Sequence, residues 1–205
     1  MNNNECASYK PSKLCFILLI AALASAAILA IFELIFVFRA GIPFKGIIYL
    51  LLGMVTIAAV VFLFLSVMNA KMQKFWLFGI LGLLGSVYLQ TVFMTHNLYH
   101  YPHALFIASL IILAVHYYLK GKYFNDKFRM IAALAGAGIA ALASLIFIII
   151  EIVRLIQTGN GIYVAYLFAD MFFGLMYIAV FGAFFFYAPN KQVKGKAPEE
   201  PAPEA

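Results

Sequence analysis

The chain has 205 residues, 66% of them hydrophobic and only 11% charged, and carries a formal net charge of +6. Soluble domains run at about 25% charged residues, and a domain of this length could not bury so much apolar surface, so a soluble globular enzyme is excluded. A transmembrane β-barrel is excluded as well, because it would show ~10-residue segments of alternating polarity where this chain has unbroken apolar runs.

About 20 helical residues cross the hydrocarbon core of a bilayer, where a helix satisfies its own backbone. Six runs qualify, and the expected fold is all-α: a polytopic six-helix transmembrane bundle. Residues 1–13 form a short cytoplasmic segment. It resembles the start of a signal peptide as far as Ala24-Ser25-Ala26, but the apolar run continues to Phe38, and cleavage there would leave a remnant too short to span. Cys6 and Cys15 lie at this cytoplasmic end, outside any metal-binding spacing, and are expected as thiols.

The first span is expected over 14–38, the second over 47–68 and the third over 75–95. The fourth, 103–119, is the shortest. The fifth covers 130–156 and the sixth 162–187, and together they make one transmembrane domain, 14–187. The tail, 188–205, is basic and then rich in Pro, Glu and Ala. It has too little apolar surface to order itself and is expected to be disordered. The loops are short, so function must lie in the bundle or at its mouths.

Lys and Arg set the orientation. With the N-terminus cytoplasmic, eleven of them fall on the inner side and three, Arg39, Lys45 and Arg154, on the outer side, which is the positive-inside pattern. Both termini are then cytoplasmic, and the expected location is a bacterial plasma membrane. The net positive charge is a topology signal, and no nucleic-acid motif accompanies it.

Two nearly matching stretches stand out. "AALAS" occurs at 21–25 and again at 140–144, and each copy leads through apolar residues to a glutamate, Glu33 or Glu151. Small residues recur at helical spacing in Ala22/Ala26/Ala30, Gly79/Gly82/Ser86, Ala132/Gly136/Ala140/Ser144 and Asp170/Gly174/Gly182. Such rows let membrane helices approach closely, either within the chain or towards a second copy or another membrane partner. The remaining surface faces the lipid bilayer.

Three acids fall inside the spans: Glu33, Glu151 and Asp170. An ionised carboxylate in lipid costs about 2.5–3.5 kcal/mol on insertion scales, so each should face the interior, pair, or hold a proton. Arg154 follows Glu151 at i+3, on one helix face. With Gln90, the acids are expected to line a polar cavity open to the outside, able to bind a cation, a proton or a small polar solute. The bland reading of the same residues is interhelical hydrogen bonding. A second cluster, His96, His100 and His103 in "THNLYHYPH", has ligand-like spacing, but Pro102 interrupts it and no carboxylate is near in sequence. No cofactor is implied and no catalytic motif is present. The expectation is a small transporter or channel, ahead of a non-enzymatic membrane subunit or scaffold, with a histidine-loop metalloenzyme last.

Overall fold

The computed structural model describes residues 12–39, 43–68, 75–93, 107–111 and 126–187. They form helices and a short turn, with no strand among the described residues. The helices are α1 (Lys13–Arg39), α2 (Pro43–Met68) and α3 (Phe75–Phe93), a helical turn α4 (107–111), then α5 (Asp126–Thr158) and α6 (Ile162–Phe186). Four of them contain stretches long and apolar enough to cross a membrane: Lys13–Phe36, Leu50–Met68, Lys127–Thr158 and Ile162–Phe186. In α3 the apolar stretch, Phe75–Leu89, is shorter. This is the helical build of an integral membrane protein. The rest of the expected fourth span, the N-terminal segment before Ser12 and the tail lie outside the described residues.

Two helices begin four residues before the apolar runs that announce them. In α2 the start is Pro43, whose missing N–H would have no helical partner at the first position in any case. In α5 it is Asp126, so the polar stretch Asp126–Arg129 is helical. Hydropathy marks where lipid begins, whereas helical hydrogen bonding runs on into the interface. At the start of α1, the carbonyl of Ser12 accepts the Phe16 N–H at 3.1 Å.

The link between α5 and α6 shows why that helix pair is antiparallel. Gly159 takes φ +62, left-handed backbone that costs glycine nothing. Its N–H donates to the Leu155 carbonyl at 2.8 Å. The Thr158 hydroxyl donates to the Arg154 carbonyl and accepts the Asn160 N–H, while Asn160 Oδ1 accepts the Ile162 N–H at 3.1 Å. Three residues, 159–161, thus close α5 and open α6.

In the bundle, α6 lies against both α1 and α5, α1 also against α2, and α2 against α3. Glycines set the contacts. A Cβ on Gly174 would collide with the Ser144 side chain, and one on Gly136 with the Phe181 ring, so α5 and α6 touch through these positions. On the far side of the bundle, a Cβ on Gly79 would lie 2.8 Å from the Ala59 carbonyl oxygen, and one on Gly82 2.8 Å from Ala59 Cβ. The α2–α3 interface also holds a buried hydroxyl pair, Thr56 and Ser86, 2.6 Å apart. Gly136, Ala140 and Ser144 of the small-residue row on α5 are all buried within the chain.

Burial is uneven along the bundle. We call the end where α1 begins proximal and the other distal. No side chain in 162–168 of α6 or in 152–161 after Glu151 is buried, whereas the proximal half of α6 is filled by Met176, Tyr177, Val180, Phe181 and Phe184.

Gly174→Val is expected to destabilise the protein by about 1–3 kcal/mol through overpacking, read as a lower unfolding midpoint in detergent micelles. Gly85→Val should change it far less, since a Cβ there meets nothing within 4 Å. A double-mutant cycle on Thr56→Val and Ser86→Ala should return a coupling of about 0.6–1.7 kcal/mol.

Candidate functional site

The distal ends of α1, α5 and α6 carry the three acids, and antiparallel register decides their relative depth. On the α5–α6 pair, Ser144 abuts Gly174. Seven residues on from Ser144 is Glu151, and seven back from Gly174 is Leu167. On the α1–α6 pair, a Cβ on Gly182 would lie 3.2 Å from Leu18. Fifteen residues on from Leu18 is Glu33, and fifteen back from Gly182 is again Leu167. The ring contacts Phe32–Phe168 at 6.3 Å and Phe36–Tyr166 at 4.5 Å hold the same register near the distal end.

The third register comes from α3, where Trp76 packs on Phe184 at 4.2 Å between ring centroids. Fourteen residues on from Trp76 is Gln90, and fourteen back from Phe184 is Asp170. Glu33 and Glu151 therefore share one level along α6. Gln90 and Asp170 share another, three residues deeper, or about 4.5 Å at 1.5 Å per residue. All four sequence-predicted positions fall within roughly one helical turn, on four different helices. The side chains of Glu33 and Gln90 lie outside the described residues, as do His96, His100 and His103, so for the first two the structure gives position along the helix.

For the other two it gives surroundings. Glu151 is buried, 2% exposed. The Arg154 guanidinium reaches it from the i+3 position, with Nη1 donating to Oε1 at 3.5 Å. Arg154 is itself partly exposed, so one member of the pair is in the interior and the other meets the interface, as a long cationic side chain can. Asp170 is half-buried on α6, one residue from the buried Ala169, and the rings of Phe168 and Phe172, two residues to either side and so on the opposite face of the helix, both stack on Phe32 of α1.

One turn further in, the polar groups change character. Ser144 on α5, Ser86 on α3 and Ser25 on α1 all fall within a residue of the level of Gly174, and Thr56 joins them through Ser86. All four are buried. Ser144 donates to the Ala140 carbonyl at 2.8 Å. Thr56, Ser86 and Ser144 are thus satisfied inside the fold. Among the described residues, no group of three or more His, Cys, Asp or Glu forms a metal site.

Sequence reasoning missed one charged group. Arg129 counts towards the inner-side excess, yet it is only 6% exposed in the proximal part of α5, within electrostatic reach of the buried Cys15 on α1. Nothing in its local sequence distinguishes it from its neighbour Lys127, which is exposed.

No family model matches the chain, and no curated protein or solved structure is similar to it.

Removing Arg154 leaves the buried Glu151 without the guanidinium beside it, whereas removing Glu151 leaves a partly exposed cation. Arg154→Met should therefore lower the unfolding midpoint more than Glu151→Gln does. Adding Glu151→Gln to Arg154→Met should recover part of the loss. Additive effects would mean that the two side chains do not depend on each other.

Proposed function

We propose that this chain is a six-span transporter or channel for a small cation, a proton or a small polar solute, entered through the distal end. That end is the outside, and both termini are cytoplasmic, in a plasma membrane. The orientation is supported by the eleven-to-three division of Lys and Arg. The reading is carried by one observation: Glu33, Gln90, Glu151 and Asp170, from four helices, come to nearly one level, at the end of the bundle where α5 and α6 are least covered. Ionisable residues within spans belong to solute and proton paths more often than to passive surfaces, because keeping them there is costly.

Asp170 is the residue we assign the solute or proton, since it lies at the deeper of the two levels. Glu151 is held by Arg154 and shapes the field around it. Gln90, level with Asp170, supplies a neutral amide that can replace part of a hydration shell. Glu33 completes the set at the mouth.

The scaffold reading draws on the small-residue rows, but Gly136, Ser144 and Gly174 are occupied by contacts inside the chain. That favours transport over a docking role for this row.

The test uses purified protein in sealed vesicles, with sodium, potassium and proton gradients as probes. Asp170→Asn is expected to cut flux by at least about ten-fold, a change of ~1.4 kcal/mol, and Glu33→Gln by a smaller factor. Flux unchanged in both variants would sink the proposal.

A further inference from the structure

By sequence position, eleven of the 14 cations and five of the 8 acids lie in the segments that enter or leave the proximal end. The other three cations and three acids lie distally and balance. The net charge of +6 therefore falls wholly on the proximal end. The positive-inside pattern accounts for a basic end, but not for the way three of these cations are placed where α1 and α5 begin.

Both helices pack on α6, and their contacts with it set the level of each cation. Leu18 meets Gly182. Five residues back from Leu18 is Lys13, and five on from Gly182 is Tyr187, where α6 stops. Gly136 meets Phe181. Six back from Gly136 is Met130, and six on from Phe181 is again Tyr187. Lys13 on α1 and Arg129 on α5 thus stand within about one residue of a common level. Lys127 is two residues further out, or about 3 Å. Arg129 also acts electrostatically on Cys15 of α1, so the two helix starts are near each other.

Lys13 and Lys127 are exposed, and among the described residues neither has an ion pair. Arg129 is drawn into the fold, to 6% exposure. Asp126, one turn before Arg129, is the acid of α5 at this end. It offsets one of the three cations and leaves a surplus of two positive charges. Four residues inward from each lysine, and so on the same helix face, stands an exposed isoleucine: Ile17 after Lys13 and Ile131 after Lys127. Each helix therefore shows an ammonium at the edge of the apolar region and a branched apolar side chain one turn inside it.

That order, cation outside and hydrocarbon within, matches an amphipathic anion. We propose that the starts of α1 and α5 form a binding site for an anionic phospholipid, with Lys13 and Lys127 on its headgroup phosphate and Ile17 and Ile131 against its acyl chains. Free phosphate would use the lysines alone. The site stands apart from the transport reading, because it needs only a helical chain in a bilayer.

The test titrates the purified full chain in detergent micelles with dioleoylphosphatidylglycerol or dioleoylphosphatidylcholine and counts bound lipid by native mass spectrometry. The anionic lipid is expected to bind at least about ten-fold more tightly than the zwitterionic one. Lys13→Gln combined with Lys127→Gln should weaken its binding at least about ten-fold, since each lysine near an anionic surface is worth ~1 kcal/mol. Lys71→Gln combined with Lys74→Gln removes the same charge from the link between α2 and α3, and should weaken binding by less than about three-fold. Equal losses in the two pairs mean a diffuse basic end and overturn the site. Inorganic phosphate at the lipid concentration should displace none of the bound lipid, and displacement overturns the assignment to a lipid. Should the first pair not fold, the wild-type chain decides, because equal binding of the two lipids overturns the site by itself.

Discussion

Gly174 lying directly under Ser144 is the contact from which the rest of the arrangement follows. Lipid tails are as apolar as the side chains they meet, so membrane helices gain little from hydrophobic burial against each other and associate through close dispersion contact and hydrogen bonds. A glycine on α6 facing a serine on α5 permits that closeness and fixes its register. The same helix receives Leu18 of α1 over Gly182 on another side. α6 is therefore the shared partner of two helices that begin at the same end of the bundle. Once both registers are set against α6, the depths of Glu33 and Glu151 follow without any further interaction.

The repeated pentapeptide takes on a different meaning in this frame. Both copies lie at similar depth because both helices start proximally, and the final serine of each is buried. The copies are not rotated alike, however. Ala22 is buried and Ala21 exposed in the first copy, whereas Ala140 is buried and Ala141 exposed in the second. The residues after the glutamates differ too. Three residues beyond Glu151 stands Arg154, which bonds to it; three beyond Glu33 stands Phe36, a buried ring stacked on Tyr166. The two stretches share depth and closeness of approach, while their acids are set in different surroundings.

Much of this was legible in the residues and some was not, for identifiable reasons. The helical membrane class follows from apolar run length alone. The Glu151–Arg154 pair follows from i, i+3 spacing, since one helix fixes its own geometry. The starts at Pro43 and Asp126 escape hydropathy because the helix outlasts the lipid it crosses. The Thr56–Ser86 pair and the common level of Gln90 and Asp170 depend on the register between helices, which side-chain shape decides and no local pattern reports. Arg129 is the clearest case: a cation counted for topology lies buried beside α1, and only the tertiary arrangement separates it from exposed Lys127.

The division of polar residues by depth argues against reading all of them as glue. If cohesion were their common purpose, neutral hydroxyls would serve it at every level, because they can be satisfied by one neighbour or by their own helix, as Thr56, Ser86 and Ser144 are. That is what is found at the level of Gly174, although nearer the proximal end Arg129 is buried as well. Carboxylates are poorer glue: each demands a cation, several donors or a proton, and the interaction gained inside a protein often fails to repay the desolvation. They are nonetheless the groups placed at the level of Leu167 to Asp170, where α5 and α6 are least covered. A chain that already holds its helices together with glycine contacts and hydroxyls has no need, for cohesion, of three acids on three helices within about one turn of each other. Their similar depth is what the transport proposal would explain, as groups that meet a solute or proton entering from that end.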